Sequence, residues 1–238
     1  MKKSNICLLI ILVFAGFVFW KGWTSLKVKA DKFGILISKT GGVNETPIMP
    51  GKFCWNWEFL LPTNAQLKLF TIEPVSLTQT VTGTLPSGEL YTKYIDSTHR
   101  FDYRFTIDVA LTVAPEAVVE LIKLNQVTNE EDLKTYLTNA AKTVAQFTAD
   151  YYLKKSEENP KFRPESVKRE DILRAIQVYT DYPLVEVFNL SVSESFLPDY
   201  EMYSKLKANF MSVAVNQNTT PALDSSIKTE EKEQTKTE

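Results

Sequence analysis

Few residues in this chain are of a type and spacing that could carry out chemistry. The single histidine is His99, with Asp96 and Arg100 close by. An imidazole beside a carboxylate can activate a serine, but that scheme needs the serine on a strained strand-to-helix turn, and no G-x-S-x-G is present. One histidine also excludes His-rich metal sites. Glu130-Glu131-Asp132 groups three carboxylates, yet they fall in what reads as the first turn of a helix, where negative charge suits the helix dipole. Cys7 lies in an apolar run, so a disulfide with Cys54 is not expected. No G-x-x-x-x-G-K-[ST], G-x-G-x-x-G or C-x-x-C occurs. No catalytic residue, cofactor or metal is expected, and the chain does not read as an enzyme.

The elements that would hold any site are set by composition and pattern. The chain has 238 residues, 44% of them hydrophobic, enough for a domain of ordinary size with its own core. Lys and Arg number 27 against 29 Asp and Glu, which argues against a nucleic-acid partner. All eight glycines lie at or before Gly88, so the first third should be turns and strands and the rest mostly helix. All four tryptophans lie at or before Trp57.

Ile6 to Trp20 is a run of fifteen residues without a polar side chain, preceded by Lys2 and Lys3. Extended from Asn5 to Trp23 as a helix it is roughly 28 Å long, close to a hydrocarbon core of about 30 Å. Lys21 would then snorkel, and Trp20 and Trp23 would sit in the aromatic belt. Residues 1–25 are therefore expected to be an uncleaved single-pass anchor in contact with membrane lipid. A cleaved signal peptide ending at Val28-Lys29-Ala30 is the competing reading. A short tail with two lysines favours a cytoplasmic N-terminus and a domain on the periplasmic or extracytoplasmic side. Lys21, Lys27, Lys29 and Lys32 pull the count the other way.

Past the anchor an α+β body is expected over 26–213, with a small antiparallel β subdomain at about 26–83 and a mixed strand–helix subdomain at about 100–195. Phe33 to Ile37 reads as a strand, Lys39-Thr40-Gly41-Gly42 as a hairpin turn and Met49-Pro50-Gly51-Lys52 as a second turn. Phe53, Trp55, Trp57 and Phe59 alternate with polar or small residues, as in a strand with one aromatic face. Leu67 to Ile72 continues the sheet, and Val75, Leu77 and Val81 suggest another strand. Pro86-Ser87-Gly88 is expected to open a polar loop running to Arg100. Phe105, Ile107, Val109, Leu111 and Val113 alternate without a gap, the pattern of a half-buried strand. Helices are expected from Pro115, from a capping box at Thr128 to Glu131, and from Pro164. Leu133, Leu137, Ala140, Val144, Phe147 and Tyr151 form the apolar stripe of the second, which reads as domain core. A strand over Leu184 to Val192 precedes a last helix at about 198–213, and 214–238 is polar and expected to be disordered.

Three stretches carry a family likeness over about residues 26–212. Phe33 to Ile37 with Pro50-Gly51-Lys52-Phe53 and Pro62, Asp108 to Glu116, and Val187 to Pro198 together resemble the SPFH or band 7 domain of stomatins, prohibitins, flotillins and the bacterial HflK/HflC proteins. The resemblance implies a membrane-bound, non-enzymatic scaffold that forms homo-oligomers or hetero-oligomers with another SPFH protein. It also implies that it organises or regulates membrane proteins, a membrane AAA protease among them. Two features depart from the family. The last helix stops near Val213 where the family continues into a long coiled coil, and the segment Thr84 to Arg100 is longer than the usual turn. A smaller assembly than the family's closed cages fits the shorter helix.

The chain offers two candidate surfaces. Trp55, Trp57 and Phe59, close in sequence to Trp20 and Trp23, read either as core of the β subdomain or as a docking surface at the membrane interface. The family's first subdomain, which lies on or partly in the bilayer, raises the second reading. Met202, Leu206 and Phe210 on the last helix either dock on the domain or meet a neighbouring protomer. The alternative for the whole chain is a cleaved, secreted or periplasmic ligand-binding protein.

Overall fold

The computed structural model describes residues 3–24, 27–95, 100–159, 161–179 and 181–213. His99 with Asp96, and the tail 214–238, lie outside the described residues. The fold is mixed α+β, with two small antiparallel sheets and one long apolar helix near the N-terminus. The chain divides into two compact units. Unit one holds Met1–Gln79, Asp108–Phe147 and Leu173–Ser191; unit two holds Thr80–Ile107, Thr148–Ile172 and Val192–Glu238.

Helix α1 runs over Lys3–Gly22. The first sheet comes next, from β1 (Lys32–Ser38), β2 (Gly42–Val43) and β3 (Ala65–Thr71) in the order β2-β1-β3. Both pairings are antiparallel, with Phe33 opposite Phe70 and Ser38 opposite Gly42. The glycine-rich hairpin turn forms as expected, with Gly42 at φ +71° and the Gly41 N–H on Ser38 Oγ at 2.8 Å. Gly51 at φ +76° follows Pro50, the arrangement a proline-led turn requires. Phe33 and Phe70 stack at 5.7 Å and are fully buried. Val28, Leu36 and Ile48 close a second small cluster with Cys54, Phe59, Ala65, Leu67 and Leu69 packed on it.

The second sheet has the order β4-β5-β6, from β4 (Val75–Thr84), β5 (Asp102–Thr112) and β6 (Glu186–Phe196). The alternation along β5 is realised as read. Phe105, Ile107, Val109 and Leu111 are all at most 1% exposed. The segment expected as a polar loop instead carries α2 (Gly88–Ile95). Pro86 and Ser87 do break the strand, but Tyr91 gives the next turn an apolar anchor, 5% exposed. The strand before the last helix is longer than expected, and the helix expected at Pro164 is a short 3-10 turn (Pro164–Ser166) ahead of α5 (Arg169–Tyr179).

Helix α3 (Pro115–Lys123) starts on its proline and buries Val118, Val119, Leu121 and Ile122. Its end uses no glycine. Asn125 takes the left-handed conformation at φ +56°, while its N–H meets Ile122 O and that of Gln126 meets Leu121 O. These are the two bonds of a Schellman ending, with Asn in the place Gly usually holds. Helix α4 (Glu130–Glu158) is capped one residue later than expected. Asn129 Oδ1 accepts from Asp132 N at 2.8 Å, and Asp132 in turn accepts from Thr128 N and Oγ1. The inner face of α4 is lined by Leu133, Leu137, Ala140 and Val144 as read. Farther along, Phe147 and Tyr151 are only half-buried, and Thr148, Ala149 and Tyr152 take the interior positions.

Two substitutions test this packing. Leu121 is fully buried, so Leu121→Ala should cost about 2–5 kcal/mol, read as a fall in the thermal midpoint. Ser156 is 4% exposed and its hydroxyl has no hydrogen-bond partner among the described residues. Ser156→Ala removes that unmet group and should leave stability unchanged or raise it by about 1 kcal/mol.

Candidate functional site

Every described side chain of α1 from Asn5 to Trp20 is exposed except Val18, which is half-buried. Helix α1 is the one helix among the described residues long and apolar enough to cross a membrane, with its candidate span at Asn5–Gly22. A helix apolar on all sides and uncovered on all sides has no stable position in water. Its length and composition are consistent with a membrane-associated or signal segment.

The end of α1 is stitched into unit one by backbone bonds. Trp23 and Trp55 form an antiparallel bridge. Asn56 N–H donates to Gly22 O at 2.8 Å, and Thr24 N–H donates to Cys54 O at 2.9 Å. Thr24, fully buried, sends its hydroxyl to the same carbonyl at 2.9 Å. Gly22 is required there, because a Cβ would overlap the Trp55 indole. Phe19, Trp23 and Phe53 make a three-ring cluster with centroids 5.4–5.8 Å apart.

Residues 53–59 are not the strand their alternation suggests. Trp57–Leu60 is a single 3-10 turn, capped by Asn56 Oδ1 on Glu58 N–H at 2.8 Å. The turn splits the aromatics. Phe53 and Trp57 are 61% and 54% exposed, Trp55 is 39% exposed, and Leu60 and Leu61 are exposed beside them. Core burial is thus overturned for Phe53, Trp55 and Trp57. Phe59 alone turns inward, half-buried against the β core. The Lys27 ammonium lies 4.0 Å from the Phe59 ring centroid. Burial, and then the charge of Lys21, hold Lys27 below the usual lysine value. Trp20 is exposed and Trp23 half-buried at the same helix end. The structure therefore brings Trp20, Trp23, Trp55 and Trp57 to one end of α1. Cys7 and Cys54 are both free.

A polar tie holds the start of α4 against the first sheet. Lys32 Nζ donates to Glu130 Oε2 at 2.6 Å, Thr71 donates to the other oxygen of the same carboxylate, and Lys68 Nζ donates to Thr128 O. Hydrogen bonds from Lys32 and Thr71 hold the Glu130 carboxyl below the ordinary range.

The last helix, α6, spans 200–213. Leu206 is buried with Leu85, Tyr91, Phe101, Tyr200 and Tyr203, and Met202 and Phe210 pack on that cluster. All three residues singled out on this helix thus face their own unit. Sequence pattern missed Tyr200 and Tyr203, which complete the stripe three residues apart. The Tyr203 hydroxyl donates to Pro86 O at 2.7 Å. Burial and the nearby Glu157 charge push the Tyr200 phenol up to about 12.

Unit one also holds an apolar cavity of about 530 Å³ lined by Ala140, Val144, Leu173, Ile176, Tyr182 and Val187. Unit two has a shallow polar one of about 580 Å³ that includes Thr84, Asp102, Arg104 and Glu194. Among the described residues no group of three or more His, Cys, Asp or Glu side chains is placed to hold a metal ion.

No family model matches the chain. Over 192 residues it is 23% identical to an uncharacterized protein of Treponema pallidum (strain Nichols), a match covering 79% of this chain and 64% of that protein. The chain thus spans less than two thirds of the length of that relative.

The Lys32–Glu130 tie carries a signed pH effect. Its contribution is complete above the unfolded carboxylate value of about 4.3 and is lost as pH falls through the lowered folded value. Glu130 is 40% exposed, so solvent discounts the pair to about 0.5 kcal/mol. Lys32→Met should lose about that much at pH 7 and flatten the acid limb of the stability curve, measured by urea titration at pH 7 and pH 3.

Proposed function

We propose that this chain is a membrane-anchored, non-enzymatic scaffold of the SPFH or band 7 type. Helix α1 stays in the bilayer as a single-pass anchor, and the body stands on the periplasmic or extracytoplasmic side. Copies assemble laterally, with each other or with a longer SPFH protein, and restrain or organise neighbouring membrane proteins, with a membrane protease as the partner class the resemblance suggests. Tethering to a surface raises the effective concentration of neighbours, so weak lateral contacts suffice.

One observation carries the anchored part of this reading. The residues just after α1 belong to the folded body. Cleavage after Ala30 would remove Thr24 from its bonds to Cys54 and Val28 from the β core. A cleaved signal peptide has no reason to be built into the domain it leaves. The exposed Phe53, Trp55 and Trp57 at the same end suit a headgroup layer, where a ring with one wet edge is favoured. The scaffold part rests on the order of motifs in the sequence. Because Met202, Leu206 and Phe210 are occupied within their unit, assembly would use other surfaces of the body.

Carbonate washing of membranes should leave the full-length chain in the pellet, and the mature N-terminus should precede Thr24. A soluble product beginning at Asp31 would overturn the reading in favour of a secreted or periplasmic ligand-binding protein. Native mass measurement of the detergent-extracted protein should give an oligomer or a complex with co-purifying chains; a lone monomer would remove the scaffold role.

A further inference from the structure

We propose that Lys21 and Lys27, both at the body end of α1, draw the phosphate of an anionic phospholipid to that end. The inference rests on the anchored reading above and names the lipid class that the anchor's end would select.

Neither Lys21 nor Lys27 forms an ion pair among the described residues, whereas Lys32 and Lys123 of the same unit are paired with Glu130 and Glu45. The charge of Lys21 acts on Lys27 and adds to the lowering that burial causes. Glu58, on the neighbouring 3-10 turn, has its carboxylate close to Gly41 in the first hairpin. Two ammonium groups therefore stand at the same end of α1 without a carboxylate partner among the described residues. Such a pair persists in a fold because its backbone is fixed for other reasons. Here Lys21 is held by the last turn of α1, and Lys27 by its N–H bond to Thr24 O at 3.0 Å and by the Phe59 ring below it.

The surroundings decide between anions. Phe53, Trp55, Trp57, Leu60 and Leu61 expose apolar surface beside the two lysines. A soluble phosphate gains nothing from that surface. A phospholipid gains from both parts, its phosphate on the ammonium groups and its acyl chains along α1 and the aromatic rim. An anionic headgroup in the facing leaflet is attracted to such lysines over about a Debye length.

The protein supplies its own probe. All four tryptophans, Trp20, Trp23, Trp55 and Trp57, lie at this end of α1, so selectively excited tryptophan emission reports on it. Full-length protein would be reconstituted in phosphatidylcholine vesicles carrying phosphatidylglycerol, with bromine on the acyl chains of either lipid at equal brominated fraction. The association of phosphatidylglycerol over phosphatidylcholine should favour phosphatidylglycerol by about thirtyfold, taking about 1 kcal/mol for each of the two lysines near the surface. Lys21→Gln with Lys27→Gln should bring it to near unity. Lys21→Arg with Lys27→Arg should keep it, and Lys205→Gln on α6 should not change it. Equal quenching by both lipids in wild type, with the protein still resistant to carbonate, would overturn the lipid site and leave the anchor standing. Loss of the preference on adding inorganic phosphate at constant ionic strength would also overturn it, by showing that a free anion suffices. No quenching by either lipid, with release by carbonate, would mean that the anchored reading itself has failed and the site with it.

Discussion

The structure depends on how the last turn of α1 is joined to the loop around Trp55. A helix that exposes apolar side chains on every face is free to tumble unless its end is fixed. Here the fixing is done by main-chain groups: the Asn56 N–H bonds Gly22 O, the Thr24 N–H bonds Cys54 O, and the Thr24 hydroxyl adds a further bond to that carbonyl. Backbone bonds shielded from water are costly to leave unmade, so this junction holds without relying on particular surface side chains. The exposed rings, the Lys27–Phe59 contact and the close approach at Gly22 are all arranged around it.

Much of the body was legible because burial imposes a period on sequence. The unbroken alternation of Phe105 to Leu111 gave β5, and Leu133 to Val144 gave the inner face of α4. Legibility failed where a short polar side chain did the work of a long-range pattern. Residues 53–59 alternate like a strand, but Asn56 bends the backbone into a 3-10 turn and sends Phe59 inward while its neighbours stay out. Asn129 and Asp132 share the cap read for Thr128 and Glu131, because the Asn side chain reaches the third helical N–H as well as a hydroxyl would. Asn125 ends α3 in a stretch without glycine. Helix α2 was hidden by the Pro86-Ser87-Gly88 break ahead of it, since a turn signal marks where one element stops without fixing the type of the next.

The candidate site was half legible. Trp20 and Trp23 announce an interface by their place at the end of an apolar run. That Trp55 and Trp57 join them depends on the bridge between Trp23 and Trp55, a pairing of distant residues that no local pattern encodes. The last helix shows the converse. Its three apolar residues were visible, but two of the rings they meet, Tyr91 and Phe101, lie far upstream in the chain, beyond the reach of any helical periodicity.

The close approach at Gly22 has a geometric consequence. With the indole of Trp55 seated against a bare Cα and backbone bonds on either side, the helix cannot spin about its long axis independently of the first sheet of its own unit. The heading of one is the heading of the other, so whichever flank of α1 a neighbour touches, it also reads the compass bearing of that small sheet.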